Sequence, residues 1–178
     1  MIFTELALKG VYLIEPERQE DERGFFARTF CVEEFSDHGL DAAVAQCNVS
    51  YNRLRGTLRG LHYQVSPHEE VKLVRCTAGT VFDVVVDIRP GSPTFRQWLG
   101  VELSAGNRKM LYIPEGFAHG FQTLEDDTEL FYQMSKVHVP EAARGIKWDD
   151  PAIGITWPMA PLVVSGRDQN YPKLPTLS

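Results

Sequence analysis

"VKLVRCTAGTVFDVVVDIR" (Val71–Arg89) decides the fold class. Strand side chains alternate between two faces, whereas helical ones repeat every 3.6 residues. Val71 and Leu73 fall on one face and Lys72 and Val74 on the other. "TAGT" reads as a turn, and beyond it Phe82, Val84, Val86 and Ile88 oppose Asp83 and Asp87. More strand-like runs follow at "WLGVELS", "KMLYIP" and "TELFYQMS", separated by the turn signals "PGSP", "SAGN" and "PEG". Short strands at this density predict a sandwich or barrel of antiparallel sheets, with an open mouth where inward-facing side chains form a pocket. Helical signal is thin. "VEEFSDHGL" (Val32–Leu40) predicts one short helix, closed by Gly39 as a left-handed C-terminal residue. The proline-rich tail "WDDPAIGITWPMAPLVVSGRDQNYPKLP" is expected to be irregular, to wrap the barrel and to set Asp168 near a rim. The early runs "GVYLIEP" and "GFFARTF" are expected to pair across a dimer, because a long flat edge needs covering.

The totals fit one domain over residues 1–178, with 43% hydrophobic and 24% charged residues. A net charge of −6 gives no reason to expect nucleic acid or an anionic membrane as partner, though clustered arginines could hold a phosphorylated small molecule. No basic stretch precedes an apolar run at the start, and no apolar run approaches a membrane span, so neither signal peptide nor membrane segment is expected. Cys31, Cys47 and Cys76 are odd in number, scattered and not at metal spacing. They read as reduced thiols of a cytoplasmic protein.

Pro114, Gly116 and His119 stand at P-x-G-x-x-H spacing in "IPEGFAHGF". That resembles the second motif of the cupin superfamily, a double-stranded β-helix (jelly-roll barrel) that often binds a metal. The place of the first motif reads His62-Tyr63-Gln64, with Glu69 and Glu70 downstream. His62, His119 and a glutamate could make a two-histidine, one-carboxylate set. Against this, Gln64 is a poor transition-metal ligand and the Lys72 ammonium would repel the ion. The expectation is a metal-free pocket with no cofactor.

"RGFF", "QCNVS", "TLRGLHYQ", "KLVRC", "DVVVDIRPGSPTF", "IPEGFAHGF", "GIKWDDPAIGITWP" and "RDQNYPKL" occur in this order between Phe3 and Leu174. Together they resemble the dTDP-4-dehydrorhamnose 3,5-epimerases. The resemblance implies a mainly β, metal-free cupin fold with a few short helices, a homodimer, and a nucleoside-diphosphate 4-keto-6-deoxyhexose inverted at C3 and C5. Hydrogens at those carbons flank the C4 ketone, so removing either gives an enolate. Inversion then needs a base on one face, an acid on the other and a group to hold the oxyanion. The resemblance assigns the base to His62, its carboxylate partner to Asp168, the acid to Tyr132 and the oxyanion's cation to Lys72. It places Arg59 and Arg23 at the diphosphate, Asn48, Gln46, Phe26 and His119 elsewhere in the pocket, and Arg167 where the family usually has lysine. Strict alternation puts Arg59 and His62 on opposite faces of one strand. A bulge at Gly60 would realign them, and both assignments stand only with it.

The nucleotide end departs from the family pattern. Arg28 follows "RGFF" where the family has a glutamate, Val137 and His138 replace two tyrosines, and Ala143 replaces a glutamate. The family glutamate accepts the N3–H of thymine, whereas arginine only donates. A dTDP-linked substrate is preferred, and a CDP-linked one remains open, since cytosine presents bare acceptors that Arg28 and His138 could meet. A cupin keto-isomerase of the same substrate class also remains open, as does the choice between C3, C5 and both.

Overall fold

The computed structural model describes residues 1–174. In chain order its elements are β1 (Ile2–Glu5), β2 (Tyr12–Glu15), β3 (Gln19–Asp21), β4 (Gly24–Phe26), α1 (Val32–Asp37), β5 (Gln46–Asn52), β6 (Thr57–Gln64), β7 (Lys72–Ala78), β8 (Thr80–Asp87), β9 (Trp98–Ser104), β10 (Met110–Ile113), β11 (Phe117–Thr123), β12 (Thr128–Met134), β13 (Ala143–Gly145), β14 (Val163–Val164) and α2 (Gly166–Gln169). One sheet runs β1-β2-β10-β7-β12-β5 and the other β13-β6-β11-β8-β9, with β14 added in parallel to β6. The turn at Gly79, with φ +71°, carries the chain from one sheet into the other between β7 and β8. This is the expected mainly β jelly-roll barrel.

Alternation along the strands generates three apolar layers. Val74, Leu111 and Leu130 of the first sheet meet Val81, Val85, Leu103, Phe117 and Phe121 of the second in the barrel interior. Outside the first sheet, Val71, Leu73, Met110 and Tyr112 pack on Phe35 of α1. Outside the second, Leu61, Val84, Val86 and Ala118 are covered by Ile146, Ile153, Ile155 and Trp157 of the tail. Burying side chains of this size contributes on the order of 2 kcal/mol each.

Helix α1 ends as expected. Gly39 takes φ +69°, and the amides of Gly39 and Leu40 bond back to Ser36 and Phe35. The tail wraps the barrel but is more regular than its prolines suggested, since it contributes β14 and α2. The expectation for "GVYLIEP" is corrected. Its strand β2 lies between β1 and β10, so both of its edges are occupied within the chain. "GFFARTF" differs, for among the described residues β4 pairs only with β3, in a two-stranded arm that leaves Phe25 and Phe26 exposed.

Candidate active site

The pairing of β6 with β11 fixes the site. His119 faces His62 and Phe121 faces Arg59, so Gly60 and Leu61 together oppose the single Gly120. This is the bulge the sequence required. Gly60 has φ +139°, and a Cβ there would lie 2.6 Å from the Gly120 Cα, so only glycine fits. The extra residue restores Arg59 and His62 to one side of β6, and both line the same cavity. A bulged residue loses its ladder partner and needs another. The Gly60 amide donates to Asp168 Oδ2 at 3.3 Å, while Asp168 Oδ1 lies 2.8 Å from His62 Nε2. The irregularity that turns the histidine therefore also anchors its carboxylate.

Asp168 sits on α2, where the Ser165 hydroxyl caps its amide at 3.1 Å. It is buried, at 3% exposure. Burial alone would raise its pKa. Hydrogen bonding and charge from His62, with the Gly60 amide and Ser165, outweigh that and hold the carboxyl below its ordinary value. With the carboxylate accepting from Nε2–H, Nδ1 is the nitrogen left to take a proton.

The cavity is about 310 Å³. His62, Arg59 and His119 come from the sheet that contains β6 and β11, whereas Tyr132, Lys72 and Asn48 come from the one that contains β7, β12 and β5. Tyr132 on β12 is aligned with Asn48 on β5. Burial drives the Tyr132 phenol far above its ordinary pKa, the nearby Asp83 charge adds to this, and Arg59 opposes it. The phenol thus stays protonated at rest. Arg59 is braced by its Nε–H bond to Asn52 Oδ1 at 2.7 Å. His119 is paired through Nε2 with Asp83 at 2.8 Å. Lys72 is 6% exposed, with Nζ 3.1 Å from Glu70 and 3.3 Å from the His62 carbonyl.

Gln64 stands where a cupin places a second ligand and is committed elsewhere. Its Nε2 donates to Glu70 at 2.6 Å and its Oε1 accepts from the Val139 amide at 2.7 Å. Among the described residues no three His, Cys, Asp or Glu side chains gather to hold a metal ion. Cys76, buried and pushed up to about 11 by desolvation, is a poor nucleophile.

The remaining expected residues divide. His138 and Arg167 line the cavity, as does Ala143. Gln46 reaches the rim indirectly, its Oε1 accepting from the His138 amide at 2.7 Å. Arg23, Phe26 and Arg28 lie outside the cavity within one chain. Arg23 pairs with Asp21 and Arg28 with Glu34. Sequence reasoning missed Ser50, Tyr63 and Arg144 in the lining, Glu70 as the counter-ion of Lys72, and Asp83 as the partner of His119. It also missed Tyr171, whose ring centroid lies 5.8 Å from that of His62, edge to face. Glu70 and Asp83 sit at same-face spacing from residues already singled out. Tyr171 carried no such signal, because only the folded tail brings it to β6.

Comparison with known proteins follows this geometry closely. The sequence model of the dTDP-4-dehydrorhamnose 3,5-epimerase family matches residues 5–176. A dTDP-4-dehydrorhamnose 3,5-epimerase of Sinorhizobium fredii is 46% identical over 175 residues, covering 98% of this chain and 90% of the relative. The crystal structure of such an epimerase from Bacillus anthracis, with TDP and PPi bound, superposes with a TM-score of 0.94 at 37% identity, covering 97% of this chain and 99% of that one. A Legionella pneumophila dTDP-6-deoxy-D-glucose-3,5-epimerase in complex with dTDP-4-keto-L-rhamnose gives 0.91 at 40% identity, covering 97% and 92%.

Proposed function

The chain belongs to the dTDP-4-dehydrorhamnose 3,5-epimerase family, and from that premise we propose how its residues invert C3 and/or C5 of dTDP-4-dehydro-6-deoxy-D-glucose. The observation that carries the reading is the placement of His62 and Tyr132 on the two facing sheets, at opposite walls of one cavity. A hexulose ring between them offers one face to an imidazole and the other to a phenol.

His62 Nδ1 takes the hydrogen next to the C4 ketone, and Asp168 at Nε2 stabilises the imidazolium that results. The electron pair moves onto the C4 oxygen. Lys72, held at the cavity floor by Glu70, offsets the enolate charge. Tyr132, whose raised pKa keeps its proton in place, returns a proton to the opposite ring face. Arg59, Arg144 and Arg167 around the same cavity suit a diphosphate, which a guanidinium fork binds through two oxygens at once. No step here draws on a cofactor.

Arg23, Phe26 and Arg28 enter through a second copy of the chain. Two features support a homodimer. The β3–β4 arm projects exposed Phe25 and Phe26, and β5 forms an unpaired sheet edge bearing exposed Val49 and Tyr51. Light scattering during gel filtration tests this, and a monomer at working concentration would remove the three arm residues from the site. No helix among the described residues is long and apolar enough to cross a membrane.

The test of the chemistry is proton NMR in deuterated water with dTDP-4-keto-6-deoxyglucose. Epimerisation exchanges deuterium into C3, C5 or both with inversion. Migration of the carbonyl to C3 would instead establish a keto-isomerase.

A further inference from the structure

Asp168 and Arg167 are consecutive residues of α2, one behind the catalytic histidine and the other at the cavity wall. This turn lies outside the paired strands of the barrel. It has four residues, follows the two-residue pairing of β14 with β6, and is held by the Gly60 amide, the Ser165 cap and the Lys147 amide bond to Pro172. By contrast, Tyr132, Lys72 and His119 sit within paired strands of the barrel.

Tyr171 links the turn to His62 on β6. Its ring lies edge to face with the His62 imidazole, at 5.8 Å and 70°. The Arg167 guanidinium lies over the same ring at 5.6 Å. Gly145 on β13 makes room, since a Cβ there would collide with the Tyr171 ring. Arg167 is exposed and makes no ion pair among the described residues, so its charge is unspent until an anion arrives. A dianion that fixes the guanidinium fixes the ring beneath it, and the ring packs on the base.

We propose that the substrate's diphosphate is an activator of proton transfer as well as an anchor, and that Tyr171 is the positioning residue that carries its effect to His62. The proposal rests on the epimerase reading above. Binding energy from a remote group raises turnover when it is spent on orienting the reacting groups. A nucleotide-free sugar should therefore lose turnover and not affinity alone, and free pyrophosphate should restore part of it.

The experiment measures deuterium exchange at C3 and C5 of free 4-keto-6-deoxyglucose, with and without inorganic pyrophosphate, beside turnover of the whole dTDP-linked sugar. In the unaltered enzyme, pyrophosphate should raise exchange of the free sugar about tenfold or more. Tyr171→Leu should abolish that activation and lower kcat for the whole substrate with little change in KM, whereas Tyr171→Phe should keep both. Arg167→Lys, which keeps the charge but loses the flat face, should bind pyrophosphate and respond weakly. If Tyr171→Leu fails to fold, judged by thermal melting, the contrast between Tyr171→Phe and Arg167→Lys carries the test. Pyrophosphate that inhibits free-sugar exchange or leaves it unchanged, in enzyme that turns over the whole substrate, overturns the proposal. Absence of exchange in the whole substrate would instead overturn the epimerase reading.

Discussion

Two imidazole–carboxylate pairs stand side by side on one cavity wall. His62 and His119 are directly opposite each other across β6 and β11, and each holds its carboxylate through Nε2 at 2.8 Å. Their surroundings differ. The His62 side chain is 42% exposed and that of His119 is 6% exposed. The carboxylate of His119 is Asp83 on the adjoining strand β8, at the diagonal of the Val85 that pairs with His119. The carboxylate of His62 comes from the tail, more than a hundred residues away in sequence. The same pair of groups is thus built once into the sheet and once across a contact 106 residues apart in sequence. The open pair can meet a carbon acid and pass on its proton, while the enclosed pair holds its ring fixed.

Removing each pair should separate the two roles. The largest effect is expected from His62→Ala, a fall of about 10³-fold in kcat with the melting temperature nearly unchanged, because general-base loss costs rate and a half-exposed side chain carries little stability. Rapid quench with NMR of the product checks it, and unchanged turnover would remove the mechanism. Asp168→Asn should cost about 10²-fold by leaving the imidazole without its counter-charge. Asp83→Ala should show mainly in stability, by about 2 kcal/mol in urea unfolding, because it strands a buried imidazole without its partner. An Asp83 variant as stable as the unaltered protein and as slow as the His62 one would merge the two pairs into one machine.

The pH dependence sharpens the contrast further. The pKa of Asp168 is depressed in the folded protein, so its contribution is full above the unfolded value near 3.8 and is lost as pH falls through the lower folded value. Activity should keep its anion across neutral pH and show no basic limb from this group. Asp87 behaves alike for structural reasons. Burial would raise it, but hydrogen bonds from Arg89, Ser92 and Thr94 take it down to about 2. Its share, about 2 kcal/mol above pH 4, should drain away toward pH 2 in acid unfolding. The smallest expected effect concerns the nucleotide base. Initial rates should favour dTDP- over CDP-4-keto-6-deoxyglucose, by a few-fold, since Arg28 and His138 replace side chains suited to thymine.

The barrel was legible because side chains alternate at period two: Val81, Val85 and Asp83 point inward and Phe82, Val84 and Val86 outward, each set meeting its own apolar layer. The bulge was legible too, because Arg59 and His62 could share a cavity only if Gly60 broke that alternation. What escaped are contacts made by the third dimension alone. Nothing along the chain joins Tyr171 to His62. The arm residues Arg23, Phe26 and Arg28 carry motif signals, yet they sit away from the cavity of their own chain.

The tail that brings Asp168 to Gly60 also sets when the protein becomes active during its manufacture. Every strand from β1 to β12 precedes that carboxylate, so a growing chain can pair those strands before it owns the proposed partner of His62. An early stop just after β13 would cost the chain Asp168 behind His62 and Arg167 at the cavity, together with Ile153, Ile155 and Trp157, the apolar cover of the second sheet.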